Sequence, residues 1–173
     1  MIRSKILLLF ALLVSVPVVK GQSDIDKNTL LQVNQPVPPF KFEISKGKTV
    51  SLNDYKGKIA LINFFATWCA PCRRELPLIE QQIWGKHKEN QKFVMLTFGR
   101  EHSWEEVLKF GKDQHLSFPV LPDLKRKVYA LFASGVIPRS FLIDQSGKII
   151  FMTTGFEESH FNELKDLIDS KLK

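Results

Sequence analysis

Cysteine is almost absent from this chain: its 173 residues hold two, Cys69 and Cys72. That excludes a scaffold built on several disulfides. It also leaves a structural zinc site short of its four ligands, since the remaining candidates are the isolated histidines His87, His102, His115 and His160. None of these stands near the cysteines in sequence, and each is expected at the surface. Long apolar runs are missing too. The one at the N-terminus, Ile6 to Val16, falls short of the roughly 20 residues that a bilayer crossing needs. No dense block of Lys and Arg interleaved with aromatics accompanies the formal net charge of +7, so the basic balance carries no nucleic-acid footprint. Nine Gly and nine Pro without a short repeat exclude a collagen-like chain, and no solenoid period is visible. What remains is average globular composition, 44% hydrophobic and 25% charged, with 14 Phe to fill one core.

The N-terminus places Arg3 and Lys5 ahead of the Ile6–Val16 run, Pro17 after it, and small residues Val19 and Gly21 at minus three and minus one of a cut. Residues 1–21 therefore read as a secretory signal peptide, with an uncleaved membrane anchor as the alternative. No cysteine lies near the cut, so a lipid-modified export signal is not supported. Removal takes Arg3, Lys5 and Lys20 and no acid, lowering the formal charge from +7 to +4. Residues 22–35 are polar and without sustained period, which predicts a flexible lead-in. The folded domain is expected over 36–173.

Within it, Phe40, Phe42 and Ile44 alternate with Lys41 and Glu43, and Thr49–Leu52 follow a Ser45–Lys48 turn, predicting a β-hairpin. Ile59–Phe65 is nearly unbroken apolar sequence, the mark of a central strand covered on both faces. A helix from about Pro71 to Lys88, interrupted by Pro77, leads to a strand over Phe93–Phe98. Ser103 is a natural N-cap for a helix to about His115, with Glu105 and Glu106 in its first turn. A third helix is expected from about Leu124 to Ala133. A second hairpin follows over Ser140–Asp144 and Lys148–Met152, and a closing amphipathic helix from Glu157 to Leu172. Mixed β and α elements with hairpins at both ends imply an α/β sandwich around a mixed sheet.

The chemistry lies in Trp68-Cys-Ala-Pro-Cys72, directly after the central strand and opening a helix. Unpaired N–H groups and the positive end of the helix dipole favour a thiolate there and lower its pKa from about 8.5. Cys69 is thus the candidate nucleophile, and Cys72, in the first turn, the resolving thiol. A mere staple is the bland alternative, but a four-residue loop yields roughly 2 kcal/mol against about 3 for fifteen residues. A domain of this size also folds without one.

These residues carry a resemblance. Asn63-Phe-Phe-Ala-Thr-Trp-Cys-Ala-Pro-Cys-Arg-Arg-Glu-Leu-Pro77 resembles the active-site segment of the TlpA/ResA branch of the thioredoxin superfamily, exported thiol–disulfide oxidoreductases. Ile137-Pro-Arg-Ser-Phe-Leu-Ile-Asp144 resembles the cis-proline loop of that superfamily. The resemblance implies a thioredoxin-like three-layer sandwich, a mixed central β-sheet with flanking helices and an N-terminal β-hairpin. It implies a redox-active Cys69–Cys72 disulfide and a catalytic acid at Glu75, which shares a helix face with Cys72 and stands in for the buried Asp that ordinary thioredoxins carry where this chain has Asn63. It places Trp68 beside the reactive thiol, makes Pro77 an architectural kink, and puts Ile137 and a cis Pro138 on the substrate groove. Arg139 stands where Thr is frequent, and a long cation there would bias the groove toward acidic or carbonyl-rich partners. Arg73 and Arg74 either support thiolate character or are ordinary solvated residues.

The function implied is exchange of this pair with disulfides or dithiols of other proteins, in the reducing direction, extending to cytochrome c maturation. It implies a periplasmic monomer regenerated by a membrane thiol-reducing partner, with no organic cofactor, metal or nucleic acid. A peroxiredoxin-type peroxidase would show Pro-x-x-x-Thr/Ser-x-x-Cys, but Ile62 and Ala66 occupy the two key positions. A copper-carrying thioredoxin-like chaperone spaces its cysteines by three residues instead of two. A non-catalytic binding module is the remaining alternative.

Overall fold

The computed structural model describes residues 27–173; the expected signal peptide and residues 22–26 lie outside the described residues. A two-stranded antiparallel hairpin, β1 (Lys41–Ser45) and β2 (Lys48–Ser51), precedes a five-stranded sheet of order β5-β4-β3-β6-β7. Its strands are β3 (Ile59–Phe65), β4 (Phe93–Arg100), β5 (Val120–Asp123), β6 (Arg139–Ile143) and β7 (Ile149–Thr154). The β3/β4 and β4/β5 pairs are parallel, whereas β3/β6 and β6/β7 are antiparallel. This is the thioredoxin-like mixed sheet. All seven residues of β3 are buried, as an apolar strand between two helical or hairpin layers must be.

Alternate residues of β3 feed different layers. Phe65 stacks on Phe110 of α3 (Trp104–Asp113), and Asn63 faces α1 (Ala70–Ile79), so both crossover helices cover one face. The closing helix α5 (Glu158–Lys171) joins this layer through Asp169, which holds Lys86 and His87 at 2.6 and 2.7 Å. Phe64 points the other way, into an aromatic cluster with Phe98, Tyr129, Phe132 and Phe141 that Phe40 and Phe42 of the hairpin complete. Edge-to-face packing dominates there, with centroids about 5–6 Å apart, the arrangement the ring quadrupoles favour.

Several boundaries differ from the sequence expectation for identifiable reasons. Pro77 does not end its helix: α1 continues through a π turn over Glu80–Trp84 into α2 (Gly85–His87). Pro77 has no N–H for the Arg73 carbonyl, and the winding relaxes one turn later instead of breaking. The helix expected from Leu124 is confined to α4 (Tyr129–Phe132). Residues 120–123 form edge strand β5, where Pro122 loses no ladder bond that an interior strand would require. Asp123 accepts the backbone N–H groups of Val128 and Tyr129, and Arg126 adopts φ +55°, so the chain between cannot wind. The β6–β7 turn closes where Gly147 takes φ +88° and Asp144 accepts from the Ser146 and Lys148 N–H groups.

The largest correction concerns the lead-in. From Lys27 onward it is bonded to the domain: Leu30 N–H donates to the Phe132 carbonyl, Asn34 N–H to Ile149, and Thr29 bridges to Ala133. Leu31 is buried with 5% exposure and Val33 packs against the core, but the cluster Leu30, Leu31 and Val33 is too short to show a helical or strand period that would announce packing. Leu31→Ala is therefore expected to destabilise the protein by about 2–5 kcal/mol. Leu30→Ala, at a residue 54% exposed, should stay within about 0.5 kcal/mol of wild type. Urea denaturation of both variants checks this, and equal midpoints would return residues 27–35 to a loose leader.

Candidate active site

Strand β3 delivers the chain to a turn at Ala66–Trp68, and Cys69 becomes the N-cap of α1 with extended backbone (φ −80°, ψ 106°). Its Sγ accepts the Cys72 N–H at 3.3 Å, taking the place of a Ser or Asp cap oxygen. Cys69 and Cys72 form a disulfide with Cα atoms 5.3 Å apart. Cys72 is fully buried, whereas Cys69 retains 5% exposure at the floor of a cleft of about 350 Å³. The cleft is lined by Trp68, Ala70, Pro71, Arg100, Val136 and Ile137.

Its far wall is the loop before β6, where the Ile137–Pro138 peptide is cis and the Ile137 carbonyl lies 3.8 Å from Cys69 Sγ. Trp68 stands on the rim, 65% exposed, with the Arg100 guanidinium carbon 5.5 Å from its ring centroid. It is a surface aromatic and contributes little to the core. Arg73 and Arg74 are exposed, and Arg74 lies over Phe156, 5.8 Å from the centroid.

Glu75 is buried one helical turn after Cys72, on the same inward face as Leu76 and Ile79. Asn63 Nδ2 donates to Glu75 Oε2 and to Ser140 Oγ, both at 3.0 Å. Burial pushes the Glu75 carboxyl up from 4.5 to about 7, and the hydrogen bonds from Asn63 and Ser140 offset part of that rise. The acid rests on a polar row that crosses the sheet in register: Thr97, Asn63, Ser140 and Thr153. All four are buried, and Thr97 Oγ1, Asn63 Oδ1 and Thr153 Oγ1 find no partner among the described residues.

Arg139 does not line the groove. Its side chain is wholly buried, donating through Nε to the Gly135 and Val136 carbonyls, both at 3.0 Å. Nη1 donates to Thr29 Oγ1 and Thr154 Oγ1 at 2.6 and 3.0 Å. Strand alternation sets this orientation, since Arg139 pairs with Phe64 while its neighbour Ser140 pairs with Asn63 on the Glu75 face. A guanidinium spent on the chain's own oxygens cannot select an acidic partner.

Two histidines are not surface residues as expected. His87 is buried against Asp169, and His102 accepts the Thr67 N–H at Nε2, 2.9 Å, two residues before Cys69. His102 was not associated with the cysteines because 33 positions separate it from Cys69 in the chain. A signal did exist: the loop after β4 opens at the same sheet end as the loop after β3, as parallel neighbours require. Gly99 permits the approach, since a Cβ there would meet Val107 Cγ1 at 2.6 Å and His102 at 3.2 Å.

A profile of the AhpC/TSA family matches residues 33–152, well over half of the chain. The chain belongs to the AhpC/TSA family. The thiol–disulfide oxidoreductase ResA of Bacillus subtilis is 34% identical over 132 residues, spanning 76% of this chain and 73% of that protein. Among solved structures, a Bacteroides thetaiotaomicron protein for which disulfide isomerase activity has been suggested superposes with a TM-score of 0.80 at 33% identity, covering 84% of this chain and 92% of that one. A thioredoxin-family thiol:disulfide interchange protein of Chlorobium tepidum gives 0.65 at 27%, covering 83% and 99%. With its CxxC pair bonded at the head of α1, the chain is a thiol–disulfide oxidoreductase of the ResA type.

The elevated Glu75 carboxyl has a consequence for stability. The unfolded chain releases this proton near pH 4.5 and the folded protein near 7, so folding takes up a proton between those values and stability falls as pH rises through them. Glu75→Gln, which keeps an oxygen for Asn63, removes the titration. The variant should gain stability relative to wild type between pH 4.5 and 7.5, by on the order of 3 kcal/mol. Urea denaturation of the oxidised proteins at both pH values is the measurement, and a constant difference would mean an ionised, solvated Glu75.

Proposed function

We propose that this protein is an exported reductant of protein disulfides, working outside the cytoplasm as a monomer. The observation that carries the reading is the placement of the Cys69 sulfur, capped by the Cys72 N–H, open to a cleft and facing the Ile137 carbonyl. In the dithiol form the same helix N-terminus stabilises the Cys69 thiolate. That thiolate attacks one sulfur of a substrate disulfide, forming a mixed disulfide and releasing the other sulfur as a thiolate. Cys72 then attacks Cys69 Sγ, which frees the second substrate thiol and leaves the Cys69–Cys72 disulfide. Two electrons pass from enzyme to substrate, and a dithiol donor restores the pair.

Cys72 must lose a proton to attack, and it is buried. Glu75, on its face of α1 and titrating at about 7, is the group suited to take that proton near neutral pH. Val136 and Ile137, directly before the cis Pro138, form the groove wall opposite Trp68, where an extended substrate segment can lie along the cleft. No organic cofactor or metal enters the cycle. Export is supported by Arg3 and Lys5 before the Ile6–Val16 run, and by similarity to ResA. A membrane thiol-reducing partner on the outer side would regenerate the dithiol. Within this class the ResA likeness favours oxidised apocytochrome c thiols, prepared for haem attachment, as substrates.

The roles of the two thiols are separable. Cys69→Ala should abolish reduction of protein disulfides, whereas Cys72→Ala should accumulate mixed disulfides through Cys69, because the resolving step is lost. Mass spectrometry of adducts from exported proteins decides it. Adducts on Cys72 of the Cys69→Ala protein, with none on the reverse variant, would reverse the assignment.

A further inference from the structure

The groove wall that faces Cys69 is held in a conformation its own residues do not favour. Val136, directly before the Ile137 carbonyl that faces the sulfur, has φ +64°. A β-branched side chain avoids this left-handed region, where Gly or Asn would sit relaxed. Packing does not impose it, since Val136 is 45% exposed and lines the cleft.

Three successive carbonyls of this loop accept from side-chain donors. Arg126 Nη2 donates to Ser134 O at 2.8 Å, and Arg139 Nε to Gly135 O and Val136 O, both at 3.0 Å. Tyr129 Oη donates to Val136 O at 2.8 Å. The donors are themselves fixed. Arg139 is anchored to Thr29 and Thr154, and buried Tyr129 has the Arg100 and Arg126 guanidinium carbons 5.4 and 5.2 Å from its ring centroid. Arg100 also stands over Trp68, so one cation links the two walls of the cleft. Glu101 lies 3.5 Å from Arg100 and 3.8 Å from Arg126, a single carboxylate shared between the two guanidinium groups.

We infer that Arg139 and Tyr129 are positioning residues for protein-disulfide exchange: by gripping the Val136 carbonyl they hold the left-handed backbone that aims Ile137 at Cys69 and at a substrate strand. This rests on reading the cleft as the groove for protein disulfides. The exposed valine then presents an apolar side chain at the mouth of the groove, which a relaxed glycine would not supply. Neither residue touches the reacting sulfurs, so a small disulfide reagent, which needs no groove, should be indifferent to both.

The test is a double-substitution cycle on the reduced full chain, with second-order rates measured on insulin disulfides and on a small aromatic disulfide. Arg139→Thr is expected to slow insulin reduction about tenfold, the factor that about 1.4 kcal/mol of left-handed strain represents. Tyr129→Phe, which removes one hydroxyl and keeps the buried ring, should slow it about fivefold, the factor that about 1 kcal/mol for one hydrogen bond represents. Small-disulfide rates should stay within about twofold in both variants, because Cys69 itself is untouched. In a Val136→Gly background, where the loop needs no enforcement, each substitution should cost less than about threefold relative to Val136→Gly alone. If Arg139→Thr fails to fold, the Tyr129→Phe cycle alone decides. Equal losses on both substrates, no loss on insulin, or undiminished losses in the glycine background would each overturn the inference. A wild-type protein that reduces neither disulfide would overturn the oxidoreductase reading itself, a result distinct from the other three.

Discussion

One amide in the middle of an otherwise apolar strand organises this molecule. Asn63 is fully buried, and its Nδ2 holds Glu75 from the helix side and Ser140 from the neighbouring strand. A carboxyl taken out of water without partners is costly enough to expel itself or to stay protonated. Here two hydrogen bonds make its burial tolerable, and its titration settles near neutrality instead of far above it. Because Glu75 belongs to α1, the same contacts fix the helix that carries Cys69 and Cys72 against the sheet. The site and the central packing therefore share their anchoring bonds.

What was legible in the sequence is what local residues determine. The unbroken apolar run of β3, the Ser103 cap with Glu105 and Glu106 in the first turn, and the alternation in the hairpin all followed from spacing alone. The cysteine pair at a strand-to-helix junction was equally plain. Four features were not, and each depends on a distant partner. Arg139 reads as a groove cation until Thr29, 110 positions away, is seen to accept from it. The lead-in reads as loose until Phe132 and Ile149 supply carbonyls. Strand β5 is four residues long with a proline inside, and its pairing belongs to β4. His102 is an isolated histidine until the parallel register brings its loop to Thr67.

The two walls of the cleft are built on opposite principles. The cysteine wall is regular: a helix N-terminus supplies the N–H group and the dipole, and a proline suits the first turn, where its missing donor is no loss. The opposing wall is irregular backbone held by side chains from β6, α4 and the loop after β5. Repetitive structure serves the group that performs the same chemistry on every turnover. An enforced loop suits the surface proposed to accept a foreign chain, since it displays backbone groups that no internal ladder has consumed.

The position of the acid completes this logic. Ordinary thioredoxins place a buried Asp where this chain has Asn63, so that their acid and their resolving thiol sit on different elements. Glu75 instead shares a helix with Cys72, three residues on, and their relation is set by α-helical geometry instead of the tolerance of strand–helix packing. An Asp at position 63 would bring a second carboxyl to within hydrogen-bond distance of the first, and like charges in so dry a site cannot both ionise. One of the two would titrate well above neutral pH and be lost to proton exchange. Asn63 removes that conflict while keeping a donor for Glu75, so amide and acid form one unit, in which a buried carboxyl on the helix goes with an amide on the strand.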